Sequence, residues 1–103
     1  MRMSNNLSHF QILDEIYSIV SQRKKSKSKN SYSAKLFASG NKKIAQKVIE
    51  ESGELILDFL HGSKKRTIEE TSDLLFHIIV LLKAKGIKPK DISNELKSRL
   101  KNK

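Results

Sequence analysis

A chain of 103 residues has the length of one domain, and 37% hydrophobic content is too high for a disordered chain. Its 21 Lys and Arg against 11 Asp and Glu give a formal charge of +10, and the absence of Cys excludes a disulfide framework, a thiolate metal site and a cysteine nucleophile. The longest apolar run, Leu74 to Leu82, is nine residues broken by His77, short of the roughly 20 needed to span a bilayer, and no apolar leader follows Met1, so the expectation is a cytoplasmic protein of one domain over 1–103 with no membrane partner.

In chain order, Phe10, Leu13, Ile16, Tyr17 and Val20 form one face of a helix predicted from about Ser8 to Arg23, with Ser8 and Gln11 spaced as a capping box. Lys24 to Ser33 is polar and basic and reads as a mobile loop; Ala34 to Ala38 reads as one short helical turn ended by Ser39-Gly40. A long helix is predicted with Asn41 as N-cap and its end at Leu60, before Gly62. Its main apolar stripe is Ile44, Val48, Leu55 and Phe59, widened by Ala45, Ile49, Ser52 and Ile56. Lys64-Lys65-Arg66 reads as loop. A further helix is predicted from Thr67 to about Lys85, closed by Gly86, and its segment Leu74 to Leu82 is apolar on all sides. Such a segment in so small a domain predicts a homodimer or higher homo-oligomer, with this run central to the contact. Pro89 opens a last helix with Ile92, Leu96 and Leu100 as its face, and Lys101 to Lys103 should fray. No stretch sustains a period of two, so the fold class is all-α, a bundle of four to five helices completed by dimerisation.

The charge is unevenly placed. Seven acids and three bases lie between residues 50 and 73, a net −4 in a chain of net +10, so the remainder carries +14. A nucleic-acid binder uses the basic shell but not the acidic centre, and only Tyr32 and Phe37 lie near the basic loop as stacking partners, so no nucleic acid is expected. An enzyme acting on a polyphosphate through cations uses both. Glu50, Glu51 and Glu54 share one side of the first long helix, Asp58 continues the row, and Glu70 and Asp73 are three apart on the next. Glu51 and Glu54 precede Gly62 by eleven and eight residues, and Glu70 and Asp73 follow it by eight and eleven. A helical hairpin therefore sets the four at matching heights, with Asp73 drawn partly inward. The competing reading is a solvated face, with Lys47 paired to Glu50 and Glu51 and Glu70 capping from Thr67. Mirrored pairs about the hairpin favour a metal group, and oxygen donors without Cys or His suit Mg²⁺ or Mn²⁺. His77, four after Asp73 on an apolar helix, reads first as a buried, hydrogen-bonded residue and otherwise as one that orients Asp73 from behind.

With these residues the chain resembles the MazG-like all-α NTP pyrophosphohydrolases, through Glu51-x-x-Glu54 followed by Glu70-x-x-Asp73. Ser31-Tyr32-Ser33 leading to Leu36-Phe37 and Gly40, Lys47-Val48 before Glu50-Glu51, and Asp73-Leu74-Leu75-Phe76-His77 running on to Gly86 are similar to the phosphoribosyl-ATP pyrophosphatase family within that superfamily. The likeness covers about residues 10–100; it departs at Ile49, where the family usually has Gly, and at Gly53, where a better helix former is usual. The resemblance implies hydrolysis of phosphoribosyl-ATP to phosphoribosyl-AMP and pyrophosphate in histidine biosynthesis, with Mg²⁺ (or Mn²⁺) held by Glu51, Glu54, Glu70 and Asp73. Glu50 or Glu51 would serve catalysis, Glu50 as base on the attacking water or as ligand of a second ion. Lys47, Lys35 and Lys43 would hold phosphates, and Tyr32 the nucleotide. Relatives fused to phosphoribosyl-AMP cyclohydrolase need room and zinc-binding Cys that this chain lacks, so a free-standing form is expected. The alternative within the superfamily is a general NTP pyrophosphatase, against which the Ser-Tyr-Ser block argues.

Overall fold

The computed structural model describes residue 9 and residues 11–26 and 31–100, and these contain five helices and no strand. They are α1 (Gln11–Ser26), α2 (Tyr32–Ser39), α3 (Asn41–His61), α4 (Lys64–Lys85) and α5 (Pro89–Arg99). The expected Ser8 cap, the loop between 27 and 30 and the frayed end at 101–103 lie outside the described residues.

Several boundaries differ from expectation, each for a physical reason. α1 runs on through Lys24 and Lys25 to Ser26, where bases in the last turn complement the helix dipole. Lys24 also lies 5.2 Å from the centre of the Phe37 ring, a cation–π contact that ties this turn to α2. α2 is a full eight residues rather than one turn, because the Ser31 hydroxyl caps it by accepting from the Ala34 N–H at 2.9 Å. Gly40, not Asn41, is the N-cap of α3; it closes α2 with its N–H on Phe37 O at 3.2 Å and turns the chain at φ 92, a conformation that suits glycine. Lys64, Lys65 and Arg66 belong to α4 and not to a loop. Ser63 caps that helix by accepting from the Arg66 N–H at 3.1 Å, so Thr67 and Glu70 form no capping box.

The α3–α4 connection is only Gly62 and Ser63, which forces the two long helices into an antiparallel hairpin. Gly62 N–H donates to Asp58 O at 2.9 Å, and the Thr67 hydroxyl stands 3.2 Å from the same carbonyl, closing the end of α3 from α4. α4 ends at Gly86 in the left-handed region at φ 78. Asp91 accepts from the Lys88 N–H at 2.9 Å and Pro89 fills the first turn, starting α5.

The core is small. Val20, Leu36, Ile44, Ile79 and Val80 are buried, with Leu13, Ile16, Tyr17, Phe37, Phe76, Leu81 and Ala84 packed around them. Much of the Leu74–Leu82 run is thus covered from within the chain by α1, α2 and α3, and of its apolar residues only Leu75 is exposed. The large apolar surface left open is instead on α3: Ile49, Ile56, Leu57, Leu60 and even Phe59 of the expected core stripe are exposed, Ile49 and Phe59 by 72% and 70%. Ile49, Ile56 and Leu60 lie on the side of α3 away from buried Ile44, whereas Phe59 shares the Ile44 stripe and is exposed at the hairpin end of the helix; periodicity alone shows neither.

Candidate active site

α3 and α4 carry the chemistry. Lys43, Lys47, Glu50 and Glu54 follow one another at spacings of four, three and four, one row along α3, with Glu51 beside it facing α4. From α4, Glu70 and His77 are seven apart and so share a face, with Asp73 about 60° to its side. The hairpin brings carboxylate oxygens of Glu51, Glu70 and Asp73 within 4.8 Å of one another. These are three of the four expected ligands, and they come from mirrored positions about Gly62. Glu54 lies outside this close group, on an exposed position, yet near enough to act on Glu70 electrostatically.

Burial is distributed otherwise than expected. Asp73, expected to turn inward, is exposed; Glu70 is the inward carboxylate, its side chain 4% exposed. Glu70 lies on the α4 face that packs on α3, whereas the short Asp73 side chain stays at the rim. Burial pushes the Glu70 carboxyl above the usual carboxylate range; Glu54, Asp73 and Asp58 push the same way, and the Arg66 guanidinium opposes them. Its Oε1 accepts from Arg66 Nη2 at 2.6 Å, while its Oε2 is buried with no hydrogen-bond partner among the described residues. A buried carboxylate oxygen without a donor is costly, and a cation would satisfy it. The donors are all carboxylate oxygens, the set that suits Mg²⁺ or Mn²⁺ rather than zinc.

Lys47 takes the position expected of an acid partner. Its Nζ is 3.4 Å from Glu50 Oε1 and 3.6 Å from Glu51 Oε2. The Glu51 side chain is 12% exposed, whereas Glu50 is roughly half exposed and outside the close group. The Lys47 ammonium is shifted upward: Tyr32, Glu50 and Glu51 outweigh the desolvation that would lower it. Lys35 and Lys43 are exposed, and neither forms an ion pair among the described residues.

His77 is buried, but it does not touch the Asp73 carboxylate as expected. Its Nδ1 lies 2.7 Å from the Asp73 backbone carbonyl, an acceptor, so Nδ1 carries a proton. Its Nε2 lies 2.7 Å from the Tyr32 hydroxyl. The ring stands edge-on to both Phe76 and Tyr32, at 5.3 and 5.6 Å between centres. His77 therefore fixes Tyr32, at the head of α2, against the helix that bears Glu70 and Asp73.

Arg66 is the residue that sequence reasoning missed. Its Nη2 also lies 3.7 Å from Asp58 Oδ2, and its Nη1 2.7 Å from Glu69 Oε1. The signal was its spacing of three and four from Glu69 and Glu70, obscured once the segment was read as loop.

The comparisons with known proteins point to one family. The family model described as phosphoribosyl-ATP pyrophosphohydrolase matches residues 13–100. A phosphoribosyl-ATP pyrophosphatase of Sulfurisphaera tokodaii is 42% identical over 90 residues, which cover 87% of this chain and 96% of the relative. One from Sulfolobus acidocaldarius is 40% identical over 90 residues, covering 87% and 95%. The histidine biosynthesis bifunctional protein HisIE of Vibrio cholerae is 40% identical over 89 residues, 86% of this chain but 42% of that longer protein. With nearly its whole length matched and the paired carboxylates assembled on its hairpin, this chain belongs to the phosphoribosyl-ATP pyrophosphohydrolase family.

Proposed function

We propose that the protein hydrolyses phosphoribosyl-ATP to phosphoribosyl-AMP and pyrophosphate, a step of histidine biosynthesis, with Mg²⁺ as its cofactor and Mn²⁺ as a substitute. The observation that carries the cofactor is Glu70: a buried carboxylate with one oxygen unpartnered, within 4.8 Å of Glu51 and Asp73 on an all-oxygen site. Family membership carries the substrate. When bound, the ion supplies charge neutralisation and Lewis acidity at the triphosphate. Glu51, Glu70 and Asp73 would hold it, and Glu54, exposed beside them, would be the fourth carboxylate.

The remaining roles follow from position. Glu50, roughly half exposed beside the group, accepts a proton from the attacking water at its carboxylate; its neighbour Lys47, 3.4 Å away, offers an ammonium to phosphate oxygens of the substrate. Lys43, one turn before Lys47, and Lys35 on α2 attract the polyphosphate. Tyr32, fixed by His77, presents its ring to the nucleotide.

The protein acts as a homodimer. Five buried apolar residues are a slight core among the described residues, while Ile49, Ile56 and Leu60 give α3 an open apolar face turned away from the carboxylates, flanked by exposed Leu57 and Phe59. A second copy that lays the same face against it buries both without covering the acid group.

Pyrophosphate release from phosphoribosyl-ATP, measured beside deoxynucleoside triphosphates, tests the activity. Preference for phosphoribosyl-ATP is the expected result; equal or faster release from the deoxynucleotides would overturn the assignment.

A further inference from the structure

Arg66 occupies an unfavourable place for a base, the first turn of a helix. Its guanidinium meets the acid group at its Glu70 edge. It takes Glu70 Oε1 at 2.6 Å, approaches Asp58 at 3.7 Å and holds Glu69 Oε1 at 2.7 Å. Glu70 is thus divided between this cation and an oxygen with no partner. Glu69, in contrast, is an exposed carboxylate outside the 4.8 Å group. Arg66 itself is half exposed, so its guanidinium has room to leave Glu70 and remain on Glu69.

We infer that Arg66 is a tethered counter-ion that competes with the divalent cation for Glu70. It stabilises the acid group when no metal is bound and weakens metal binding by the same interaction. The inference rests on the proposed reading of Glu51, Glu70 and Asp73 as metal ligands. Arg66 is a positioning residue in this account: it acts through Glu70 and sets the cation concentration at which the site fills. Two consequences follow from charge alone. Removing Arg66 leaves Glu70 facing Glu54, Asp73 and Asp58 without its cation, which destabilises the metal-free protein. It also removes a unit positive charge from beside a divalent ion, worth about tenfold in affinity under the nearly water-like screening of a half-exposed guanidinium.

The experiment is a titration of metal-free protein with Mn²⁺ in the absence of substrate, followed by calorimetry, with thermal melts at zero and saturating Mn²⁺. Arg66→Gln should bind Mn²⁺ about tenfold more tightly than the parent, melt lower without metal, and recover the parent's melting temperature at saturation. Arg66→Lys keeps the charge and should bind within about twofold of the parent. Unchanged or weaker binding by Arg66→Gln overturns the inference, as does a variant that fails to fold even at saturating Mn²⁺, which marks a purely structural ion pair. An Arg66 that serves only to bind substrate phosphate would leave these substrate-free affinities unmoved. Absence of Mn²⁺ uptake by the parent would instead remove the metal site itself, and the inference with it.

Discussion

Glu70→Gln separates a metal ligand from a structural ion pair. The amide keeps an oxygen to accept from Arg66, where Glu70 Oε1 now lies at 2.6 Å. It replaces the unpartnered Oε2 with an NH₂ donor, and the carboxylates of Glu51 and Asp73 lie within reach of the group. One buried like charge also disappears from beside Glu54, Asp73 and Asp58. The metal-free variant should therefore melt at or above the parent's temperature. The parent should gain much more from metal. At a hundred times its dissociation constant a ligand stabilises by about 2.7 kcal/mol. In a domain this size 1 kcal/mol moves the midpoint by roughly 4–8 °C. Saturating Mg²⁺ should then raise the parent's midpoint by about 10 °C or more and leave Glu70→Gln nearly unmoved. Turnover should fall by two orders of magnitude or more, because the charge that stabilises the transition state is misplaced. Differential scanning calorimetry at zero and saturating Mg²⁺, with one rate measurement, decides the matter. A variant that is destabilised without metal yet turns over normally would refute the reasoning, since it would make Glu70 only the partner of Arg66.

Other outcomes follow from the same structure. Chelation should abolish activity, and Mg²⁺ or Mn²⁺ should restore it with no special advantage for Zn²⁺; full turnover in excess chelator would contradict a site of carboxylate oxygens. Sedimentation at micromolar concentration should show a dimer for the parent and a monomer for Ile56→Glu, which places a charge in the open face of α3; a monomeric parent would refute the assembly. Tyr32→Phe removes the 2.7 Å hydrogen bond to His77 Nε2 and should cost about 1 kcal/mol of stability in urea denaturation. It should also raise KM more than it lowers kcat, and a lowered kcat at unchanged KM would place Tyr32 in the chemistry instead.

What could be read in the sequence was whatever depends on angle and count along one helix. The spacing of Glu51, Glu54, Glu70 and Asp73 about Gly62 fixes their heights once the connection is known to be short, and three of the four do converge. Which carboxylate is buried was not legible: Glu70 and Asp73 are both acids on one helix, and only the packing of α3 against α4 chooses between them. Arg66 was hidden by a local rule. Three bases oppose a helix start, yet Ser63 caps the helix and Glu69 and Glu70 compensate Arg66 from within it. The extra turn of α1 carries Lys24, which meets Phe37 of α2, a contact between separate elements that no spacing within α1 reveals. For Leu74–Leu82 the pattern showed apolar residues on every side, but not that α1, α2 and α3 of the same chain would cover so many of them.

The most direct test of the central claim is metal-dependent pyrophosphate release from phosphoribosyl-ATP, measured with the parent and Asp73→Asn in parallel. Asp73 is exposed and pairs with no described base, and its replacement removes a like charge from beside Glu70, so the melting temperature of the metal-free protein should stay level or rise. The account predicts stoichiometric phosphoribosyl-AMP and pyrophosphate from the parent in Mg²⁺, and a rate lower by two orders of magnitude or more in the variant. Equal rates from the two proteins, or no release from the parent in Mg²⁺, would contradict it.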